Sequence, residues 1–432
     1  MDKLYHIRGL VSSGLVLLWY NNGMNIALLG YGLEGKAAEK YFKSHYADAH
    51  FDIFENLTPA EFAEKDYSSY DMILRSPSVP PFKNEKLTSI TEYFFEHCPC
   101  KIIGVTATKG KGTTCSFIKS LLDTEGYDAY LVGNIGTPAI EILDRLTKDS
   151  VVVYELSSFQ LWHLQKSPHI AIIGQIEPDH LNVHSGYDDY LAAKGNLVRY
   201  QSESDICIYY AKNPESKNLA ELSKARKIPY PFSAPDDILK SITLPGAHNT
   251  ENALAAIAAV AALKNLSPED YCANFADTIK RGLNNFHGLP HRLEFVRELN
   301  SVRYYDDNFS TNPSSTRVAI NAFPDDKIIL IAGGRDKTGG EDLPEIYKII
   351  KTPNIAKIIL IGESGHELAR RYHDPRFRVA NSLEAAITAA RLEAESIKPS
   401  VVIMSPAAAS FDMFQNVYDR GAKYKTLVTS LQ

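Results

Sequence analysis

The chain has 432 residues, more than one hydrophobic core ordinarily holds, so two or three domains are expected. Its 46 basic and 52 acidic residues give a formal net charge of −6. This balance offers no basic field for binding nucleic acid or an anionic membrane. We therefore expect small-molecule substrates, no nucleic-acid or membrane partner, and a monomer.

The five cysteines are scattered, and only Cys98 and Cys100 lie close together, without a second pair of metal ligands nearby. This spacing argues against both a zinc site and a disulfide framework. It predicts a reducing, cytoplasmic compartment.

At the N-terminus, Lys3 and Arg8 precede an apolar run over residues 9–20 that resembles a weak signal peptide. The run is too short to span a bilayer, and no small-residue cleavage site follows it. We favour an upstream extension over residues 1–23, with the first strand beginning at Met24.

In chain order, short apolar runs ending in Gly, Asp, Glu or Ser alternate with helical patterns, which is typical of an α/β fold with buried parallel strands. Helices are predicted over 114–126 and 249–263. Seams near 98–100 and 284–292 divide the chain into domains 1–100, 101–288 and 289–432. The predicted strands are 25–29, 101–105, 150–155, 169–177, 327–334, 357–362 and 400–405.

The stretch GVTATKGKGTT, residues 104–114, leads from a strand through a Gly- and Thr-rich turn into a helix. Backbone N–H groups at the helix N-terminus, with Lys111 as a point charge, form an anion site suited to nucleotide phosphates. The spacing misses the G-x-x-x-x-G-K-[ST] pattern by one residue, and Gly112 stands where a magnesium-binding hydroxyl is expected. On this loop alone, a plain strand-to-helix turn remains the alternative.

Polar side chains recur where predicted strands end, which is where open α/β sheets bind ligands. Glu155, Asp179 and His180 are candidate magnesium ligands, with a helix cap and a turn histidine as the alternatives. Asn249 and Asn252 lie on one helical face and suit a base edge, although Asn249 also suits helix capping.

Other polar or glycine-rich segments follow predicted strands. GYGLEG, residues 30–35, with Glu55 about twenty residues later, has the pattern of a dinucleotide-binding loop. The polar segments 306–316, 333–337 and 405–410 each look like ordinary loops, but together they predict one converging site.

Taken together, the chain resembles the Mur ligases from about Met24 to its C-terminus, and within them the branch that adds glutamate to UDP-N-acetylmuramoyl-L-alanine. The resemblance rests on an ordered set of motifs: TATKGKGTT, ELSSFQL, DHLNVH, AAK, GAHNTEN, LPHRLE, STNPSST, GGRDK and SPAAASFD. It implies three domains: an N-terminal Rossmann-like domain, a central domain with a P-loop ATPase-type parallel sheet, and a C-terminal Rossmann-like domain that closes over the site.

The resemblance also implies the cofactors and the catalytic residues. ATP and two Mg²⁺ ions are expected, and Lys194 matches a lysine that the family carries as a carbamate. Lys111, Glu155, His180 and Lys194 would be catalytic, and the last three, with Thr113 in place of the missing hydroxyl, would bind metal. The ATP-binding residues would be Thr108, Lys109, Gly110, Lys111, Gly112, Thr113, Thr114, Asn249, Asn252, Arg292 and Asp307.

The same resemblance places the other two substrates. The muramoyl substrate, including its UDP group, would contact Gly30, Leu33, Glu34, Gly35, Glu55 and Asn134. The incoming amino acid would contact Thr311, Lys337, Ser410 and Phe411. The expected reaction forms an amide between the substrate carboxylate and D-glutamate through an acyl phosphate.

Five positions depart from the family pattern: Ala107, Lys109, Gly112, Ser78 and Phe309. These departures concern the metal and phosphate contacts. A ligase that uses L-glutamate or another amino acid is kept as an alternative, because the sequence does not reveal the stereochemistry at the glutamate α-carbon. So is a nucleotide-binding homologue without catalysis, for which Gly112 is the main argument. A NAD-dependent oxidoreductase, indicated by GYGLEG alone, would leave the loop at 104–114 unexplained.

Overall fold

The computed structural model of the protein describes residues 23–134, 136–181, 183–336 and 339–432. Its strands form three sheets of four, six and six strands, one in each of the ranges 25–89, 101–230 and 294–404. The α/β class predicted from the sequence is confirmed. The N-terminal extension expected over 1–23 lies outside the described residues except for Gly23.

The first sheet has four parallel strands, and three helices lie in the same part of the chain. Its elements are β1 (Asn25–Leu29), α1 (Leu33–His45), β2 (His50–Phe54), α2 (Pro59–Glu64), β3 (Met72–Arg75), β4 (Leu87–Ser89) and α3 (Ile90–His97). The strand order is β2-β1-β3-β4. β1 is buried from its second residue onward because helices and loops cover both faces of the sheet.

The second sheet has six parallel strands in the order β10-β9-β8-β5-β7-β6. The strands are β5 (Lys101–Thr106), β6 (Ala129–Gly133), β7 (Val151–Glu155), β8 (Ile170–Ile173), β9 (Ile206–Tyr210) and β10 (Arg226–Tyr230). After β5 the chain builds one side of the sheet and then crosses to the other. The carboxyl end of β5 is therefore the switch point where α/β sheets bind ligands.

Helices surround the second sheet, and one of them is buried on almost every side. They are α4 (Lys111–Thr124), α5 (Ser158–Leu161), α6 (Tyr187–Arg199), α7 (Pro214–Ala220), α8 (Asp236–Leu239), α9 (Ala247–Leu263) and α10 (Pro268–Asn285), with a 3-10 helix at Ala139–Arg145. The alanines of α9 let it pack closely against α4 in the core. The 3-10 helix packs on α1 and α3, so the first two sheets share one hydrophobic cluster.

The third sheet has the order β11-β12-β16-β13-β14-β15, and only the pairing of β11 with β12 is antiparallel. The strands are β11 (Glu294–Leu299), β12 (Val302–Asp306), β13 (Lys327–Ala332), β14 (Ile355–Leu360), β15 (Phe377–Val379) and β16 (Ser400–Met404). The helices are α11 (Pro313–Asn321), α12 (Leu343–Ile349), α13 (Gly362–Arg371), α14 (Leu383–Glu395) and α15 (Val417–Ser430).

Within the described ranges, no helix is both long enough and apolar enough to cross a bilayer.

Candidate active site

The turn between β5 and α4 forms an open helix N-terminus. Gly110 precedes α4 with φ of +83°, and no side chain caps the helix. The first turn contains no acidic residue. Because the first N–H groups of an α-helix have no intrahelical acceptor, those of Lys111, Gly112 and Thr113 are available to an anion.

Thr108 fixes the shape of this loop. Its backbone N–H donates to the carbonyl of Gln175 at 2.7 Å. Its hydroxyl lies 3.0 Å from the carbonyl oxygen of Glu177 and accepts from the Glu177 N–H at 2.8 Å. The loop is thereby joined to the segment after β8, so the ends of the two central strands form one surface.

Replacing Gly110 by Ala is expected to reduce both stability and nucleotide binding. An added Cβ would lie 2.6 Å from Asn252 Oδ1, at a φ of +83° that already disfavours side chains. Gly126→Ala is the matched control, because Gly126 has φ of +82° and a Cβ there would meet no atom within 4 Å.

Gly126→Ala should lower the free energy of unfolding by about 1 kcal/mol, the cost of the left-handed backbone alone. Gly110→Ala should lower it further, and only this variant should bind ADP more weakly. Urea unfolding and calorimetric titration measure the two effects. Equal losses of stability together with unchanged ADP affinity would contradict this account of the loop.

Two lysine side chains converge at the end of β5. Lys111 Nζ donates to the carbonyl of Ala107 at 2.9 Å. Lys194 Nζ donates to the same carbonyl at 2.9 Å and to Thr106 Oγ1 at 3.2 Å. Burial lowers the pKa of both amines, and the charge of Lys111 lowers the pKa of Lys194 further, to well below its ordinary value. The Lys194 amine is therefore more readily unprotonated, which is the nucleophilic form.

Glu155, at the end of β7, is a carboxylate whose negative charge raises the pKa of both lysines. Its side chain is buried, and Oε1 accepts from Asn134 Nδ2 at 3.3 Å. Within the described part of the chain, Oε2 is buried without a hydrogen-bond partner. Burial raises the pKa of Glu155, and the charge of Lys111 opposes this shift. A buried carboxylate oxygen without a donor fits a cation ligand.

His180 lies on the exposed loop that follows β8. It has φ of +54°, and its Nε2 lies 3.5 Å from Asp179 Oδ2. Its ring centroid is 5.0 Å from that of Phe159. The negative charge of Asp179 raises the pKa of Lys111 and of Lys194, against the effect of burial. Asp179 and His180 therefore border the same site as the two lysines.

A cavity of about 390 Å³ opens beside the turn between β5 and α4. This turn, residues 107–110, and the first turn of α4 are predicted to bind phosphate and are together called the phosphate loop below. Four of the residues predicted to bind ATP line the cavity, namely Lys109, Gly110, Thr114 and Asn252. Several other lining residues were not predicted from the sequence. Two of them belong to α11, which packs beside the third sheet. These additional residues include Tyr210, Tyr230, His248, Glu251, Val318 and Asn321.

The two predicted base-binding asparagines differ in accessibility. Asn252 reaches the cavity, where its Oδ1 accepts from Thr114 Oγ1 at 3.3 Å. Asn249 is buried behind it, and its Nδ2 donates to the carbonyl of Pro245 at 2.7 Å. The 3.4 Å contact from Asn252 Nδ2 to Asn249 Oδ1 makes Asn249 a support for Asn252 in this arrangement.

Arg292 brings a positive charge from the third domain. Its guanidinium lies 5.2 Å from the centre of the Phe309 ring. Its charge contributes to lowering the pKa of both Lys111 and Glu155, which belong to the central domain. Arg292 thus acts on the site from across the seam between the two domains.

A compact polar cluster holds the turn that carries Arg292. His291 Nδ1 lies 2.7 Å from Asp306 Oδ2, and the His291 N–H donates to Glu294 Oε2 at 2.9 Å. Lys425 Nζ donates to Glu294 Oε1 at 2.8 Å. Among the described residues, only these three His and acidic groups are grouped compactly enough to hold a metal ion. Because they already bond one another and Lys425, we interpret the cluster as structural.

Asp307 is buried next to this turn. Leu293 N–H donates to its Oδ1 at 3.1 Å, and Ser405 Oγ donates to its Oδ2 at 2.7 Å. Burial raises the pKa of Asp307 to about 7. The carboxyl therefore stabilises the loops of its own domain, and its contact with ATP stays a prediction.

This pKa predicts a pH effect on stability. Because the pKa is about 7 in the folded protein against an ordinary 3.8, the folded state binds more protons than the unfolded state between these values. The stability contribution of Asp307 is lost as the pH rises through this window. Asp307→Asn should therefore gain stability relative to the wild type, with a slope approaching about 1.4 kcal/mol per pH unit.

Urea unfolding at a series of pH values measures this difference. Asp325→Asn, which removes an exposed carboxylate from the same domain, is the control. A difference between Asp307→Asn and the wild type that stays constant from pH 4 to about 7 would contradict the buried, neutral carboxyl.

The loops predicted to receive the amino acid lie side by side. Ala407 N–H donates to the carbonyl of Ser310 at 2.9 Å, so the loop of Thr311 is tied to the loop of Ser410. Ser410 is buried, whereas Phe411 is 71% exposed. An exposed phenyl ring next to a polar loop is suited to covering a bound ligand.

The remaining predicted contact of the amino acid is Lys337, which lies outside the described residues. The segment leading to it is placed by the Arg335 N–H, which donates to the carbonyl of Ala409 at 2.8 Å. Residues 333–336 therefore border the loop of Ser410.

The glycine-rich loop of the first domain has the tight geometry that its sequence predicts. Gly30 has φ of +80°, and a Cβ there would collide with the Ser76 hydroxyl, while Gly35 packs on the carbonyl of Gly30. Leu33 is 82% exposed at the start of α1, and Glu55 is exposed after β2. The loop therefore presents an open helix start and an uncovered apolar side chain.

Glu34 connects this loop to the central domain. Its Oε1 accepts from Gln160 Nε2 at 2.8 Å, and its Oε2 is buried without a partner in the described ranges. Burial raises the pKa of Glu34 to about 7, and the charge of Arg75 opposes this shift. The fully buried Arg75 guanidinium, which donates to the carbonyl of Val79 at 2.9 Å, was not predicted from the sequence.

Two family models match the chain. The Mur ligase middle domain matches residues 105–240, and the glutamate ligase domain of Mur ligases matches residues 291–408. The chain is 33% identical over 399 residues to the UDP-N-acetylmuramoylalanine--D-glutamate ligase of Clostridium tetani, covering 84% of each chain. It is 34% identical to the enzyme of the same name from Clostridium kluyveri, covering 94% of this chain and 93% of that one.

The fold has solved relatives as well. The crystal structure of MurF ligase from Thermotoga maritima in complex with ADP superposes with a TM-score of 0.55 at 13% identity, covering 84% of this chain and 90% of that one. Three α/β domains, with a glycine-rich strand-to-helix turn at the switch point of the middle sheet, define a class of multidomain α/β enzymes that bind their ligand at that turn. Within that class, the chain belongs to the Mur ligase family.

Proposed function

We propose that this protein is an ATP-dependent ligase that joins D-glutamate to UDP-N-acetylmuramoyl-L-alanine, forming ADP and phosphate during synthesis of the peptidoglycan precursor. The relatives with this name align over nearly the whole chain. The observation that carries the proposal is the convergence on one strand end of the open α4 N-terminus, Lys111, Lys194 and Glu155, with Arg292 acting from the third domain.

The reaction must activate a carboxylate, because oxide is too poor a leaving group for direct amide formation. In the first step, an oxygen of the alanine carboxylate attacks the γ-phosphorus of ATP, and the bond to ADP breaks. In the second step, the glutamate amine attacks the carbonyl carbon of the acyl phosphate. The amine loses a proton, phosphate leaves, and the amide remains.

The residues of the phosphate loop supply charge and orientation to the first step. The N–H groups of Lys111, Gly112 and Thr113 hold phosphate oxygens, and the Lys111 ammonium offsets the charge that the phosphoryl group carries in the transition state. Arg292 adds a second positive charge when the third domain closes. Closure also excludes water, which would otherwise hydrolyse the acyl phosphate.

Magnesium fits this site through Glu155, whose buried Oε2 has no donor in the described part of the chain. We propose that Glu155, His180, a carbamate on Lys194 and Thr113 hold two ions. When bound, magnesium supplies positive charge around the transferring phosphoryl group. The lowered pKa of Lys194 supports the carbamate, since only the neutral amine adds to CO₂.

The other two substrates are assigned to flanking loops. We assign the UDP-sugar to the loop of Gly30, with Leu33 packing on its uracil, and the glutamate to the loops of Thr311 and Ser410, with Lys337 binding a carboxylate. We also propose that the enzyme is a monomer. The five cysteines are free thiols, which supports a cytoplasmic enzyme.

The test is release of ADP and phosphate in the presence of UDP-N-acetylmuramoyl-L-alanine, with D-glutamate, L-glutamate or no amino acid. Release that depends on D-glutamate is expected. Dependence on L-glutamate would reassign the amino-acid substrate. Binding of ATP without turnover in any mixture would favour a non-catalytic nucleotide-binding protein, with Gly112 as its structural basis.

A further inference from the structure

Gly112 has no side chain at the loop position directly after Lys111, where a hydroxyl is expected. In the common G-K-[ST] arrangement, the residue after the lysine binds magnesium through its hydroxyl. Here that residue is glycine, in the first turn of α4, and no acidic side chain lies in that turn. A metal bound with a nucleotide in this loop would therefore take its hydroxyl ligand from Thr113, one residue further along α4, and none from the position directly after the lysine.

Lys109 adds a cation two residues before Lys111. It is exposed, it precedes Gly110 directly, and it lines the 390 Å³ cavity together with Thr114 and Asn252. Its ammonium group makes no hydrogen bond or ion pair with any residue that the structure describes. This side chain is therefore available to a ligand that enters the cavity.

The other two lysines of the loop are already engaged. Lys111 donates to the carbonyls of Ala107 and Thr108, at 2.9 and 3.3 Å. Lys194 donates to Thr106 and Ala107. Both amines face the backbone of the strand end, so Lys109 is the uncommitted cation of this group.

The carboxylates of the cavity do not neutralise Lys109. Glu251 accepts from Tyr210 OH at 2.9 Å and from Lys212 Nζ at 2.8 Å. Glu177 accepts from the neutral amide of Gln175 at 2.7 Å and forms no ion pair with Lys109 among the described contacts. An ammonium in a cavity whose acids are occupied elsewhere is a site for an anion.

We propose that Lys109 is a second phosphate-binding lysine, whose charge on the nucleotide polyphosphate compensates for the hydroxyl absent at Gly112. The inference rests on the proposed function, since it concerns the same nucleotide site. Its consequence is that binding of ADP depends less on magnesium in this protein than in a variant with the common loop. Lys109 holds the phosphates and takes no part in the bond changes.

The test is calorimetric titration of the full chain with ADP, in Mg²⁺ and in EDTA. Four proteins are compared: the wild type, Lys109→Asn, Gly112→Ser and the double variant. For the wild type, removing Mg²⁺ should weaken ADP binding by less than about tenfold. Lys109→Asn should bind about tenfold more weakly than the wild type in EDTA, the size expected for loss of a charge-assisted hydrogen bond.

Gly112→Ser should tighten binding only in Mg²⁺, and the double variant should show the largest ratio of dissociation constants between EDTA and Mg²⁺. Lys109→Arg, which retains the charge, should keep the affinity of the wild type in EDTA. Lys119→Asn is the matched control, because Lys119 lies on α4 and pairs with Asp123 away from the loop. It should leave both dissociation constants unchanged.

The outcomes separate this inference from the proposed function. If Lys109→Asn matches the wild type in EDTA while ligation by the wild type depends on D-glutamate, the inference is wrong and the function stands. If the folded wild type binds no ADP in either buffer, the nucleotide site itself is wrong and both fail. A salt-independent difference between Lys109→Asn and the wild type would also overturn the electrostatic role.

Discussion

Lys111→Ala is expected to lower the rate of ADP formation by about 10³-fold, the scale of losing one charge-stabilising donor in a preorganised site. The ammonium donates to the carbonyl of Ala107 at the N-terminus of α4, and the charge of Glu155 raises its pKa. Without it, the developing charge on the phosphoryl group faces a buried carboxylate and no lysine at that point. The loss should appear mainly in kcat, because the backbone N–H groups continue to bind phosphate.

The control is Lys119→Ala, the same substitution about two turns further along α4. Lys119 pairs with Asp123 at the surface, a contact worth little in water. Its activity should stay within about twofold of the wild type. The rate of ADP release by the two variants is compared in the steady state. Comparable activity of Lys111→Ala and Lys119→Ala would show that Lys111 has no catalytic role.

Lys194→Ala is expected to lose most activity and to recover part of it when acetate or formate is added. Its Nζ is buried at the end of β5, 2.9 Å from the carbonyl of Ala107. If the lysine carries a carbamate, alanine leaves space for a small carboxylate at the same place. We expect a loss of about 10²-fold or more, as for other groups that hold a catalytic metal.

Rescue by acetate or formate supports a carbamate only if it is specific to the Lys194 position. Lys111→Ala, which removes a cation and no carboxylate, should gain nothing from acetate or formate. Thermal unfolding of both variants checks that each is folded, since Lys194 is almost fully buried. An active Lys194→Ala enzyme, or an inactive one that neither anion improves, would exclude the carbamate.

The parts of the site built on continuous apolar runs could be predicted from the sequence. The runs at 101–105 and 150–155 correspond to β5 and β7. Lys111 follows β5 and Glu155 ends β7, and both lie at one sheet edge. This works because parallel strands end on the same edge and buried strands have a distinct apolar pattern.

The boundary after β8 was predicted less well. The apolar run suggested a strand over 169–177, but β8 ends at Ile173. A Cβ at Gly174 would lie 2.7 Å from that of Ala107, and the carbonyl of Gln175 accepts from the Thr108 N–H. The chain therefore turns to anchor the phosphate loop, a tertiary contact that periodicity does not reveal.

Residues from weakly patterned strands could not be predicted. Tyr210 and Tyr230 line the nucleotide cavity from the ends of β9 and β10, and β10 contains a proline and two basic residues that hide its strand character. Arg75 is buried opposite Glu34 and the α5 region, so its role depends on how two domains pack. Such positions follow from tertiary arrangement rather than local sequence.

The fate of the carboxylate oxygen during turnover shows directly whether the reaction passes through an acyl phosphate. UDP-N-acetylmuramoyl-L-alanine labelled with ¹⁸O in the alanine carboxylate is incubated with ATP and D-glutamate, and the released phosphate is analysed by mass spectrometry. An acyl phosphate transfers one carboxylate oxygen to phosphate, so each released phosphate should contain one ¹⁸O atom. Amide product accompanied by unlabelled phosphate would contradict a reaction through an acyl phosphate.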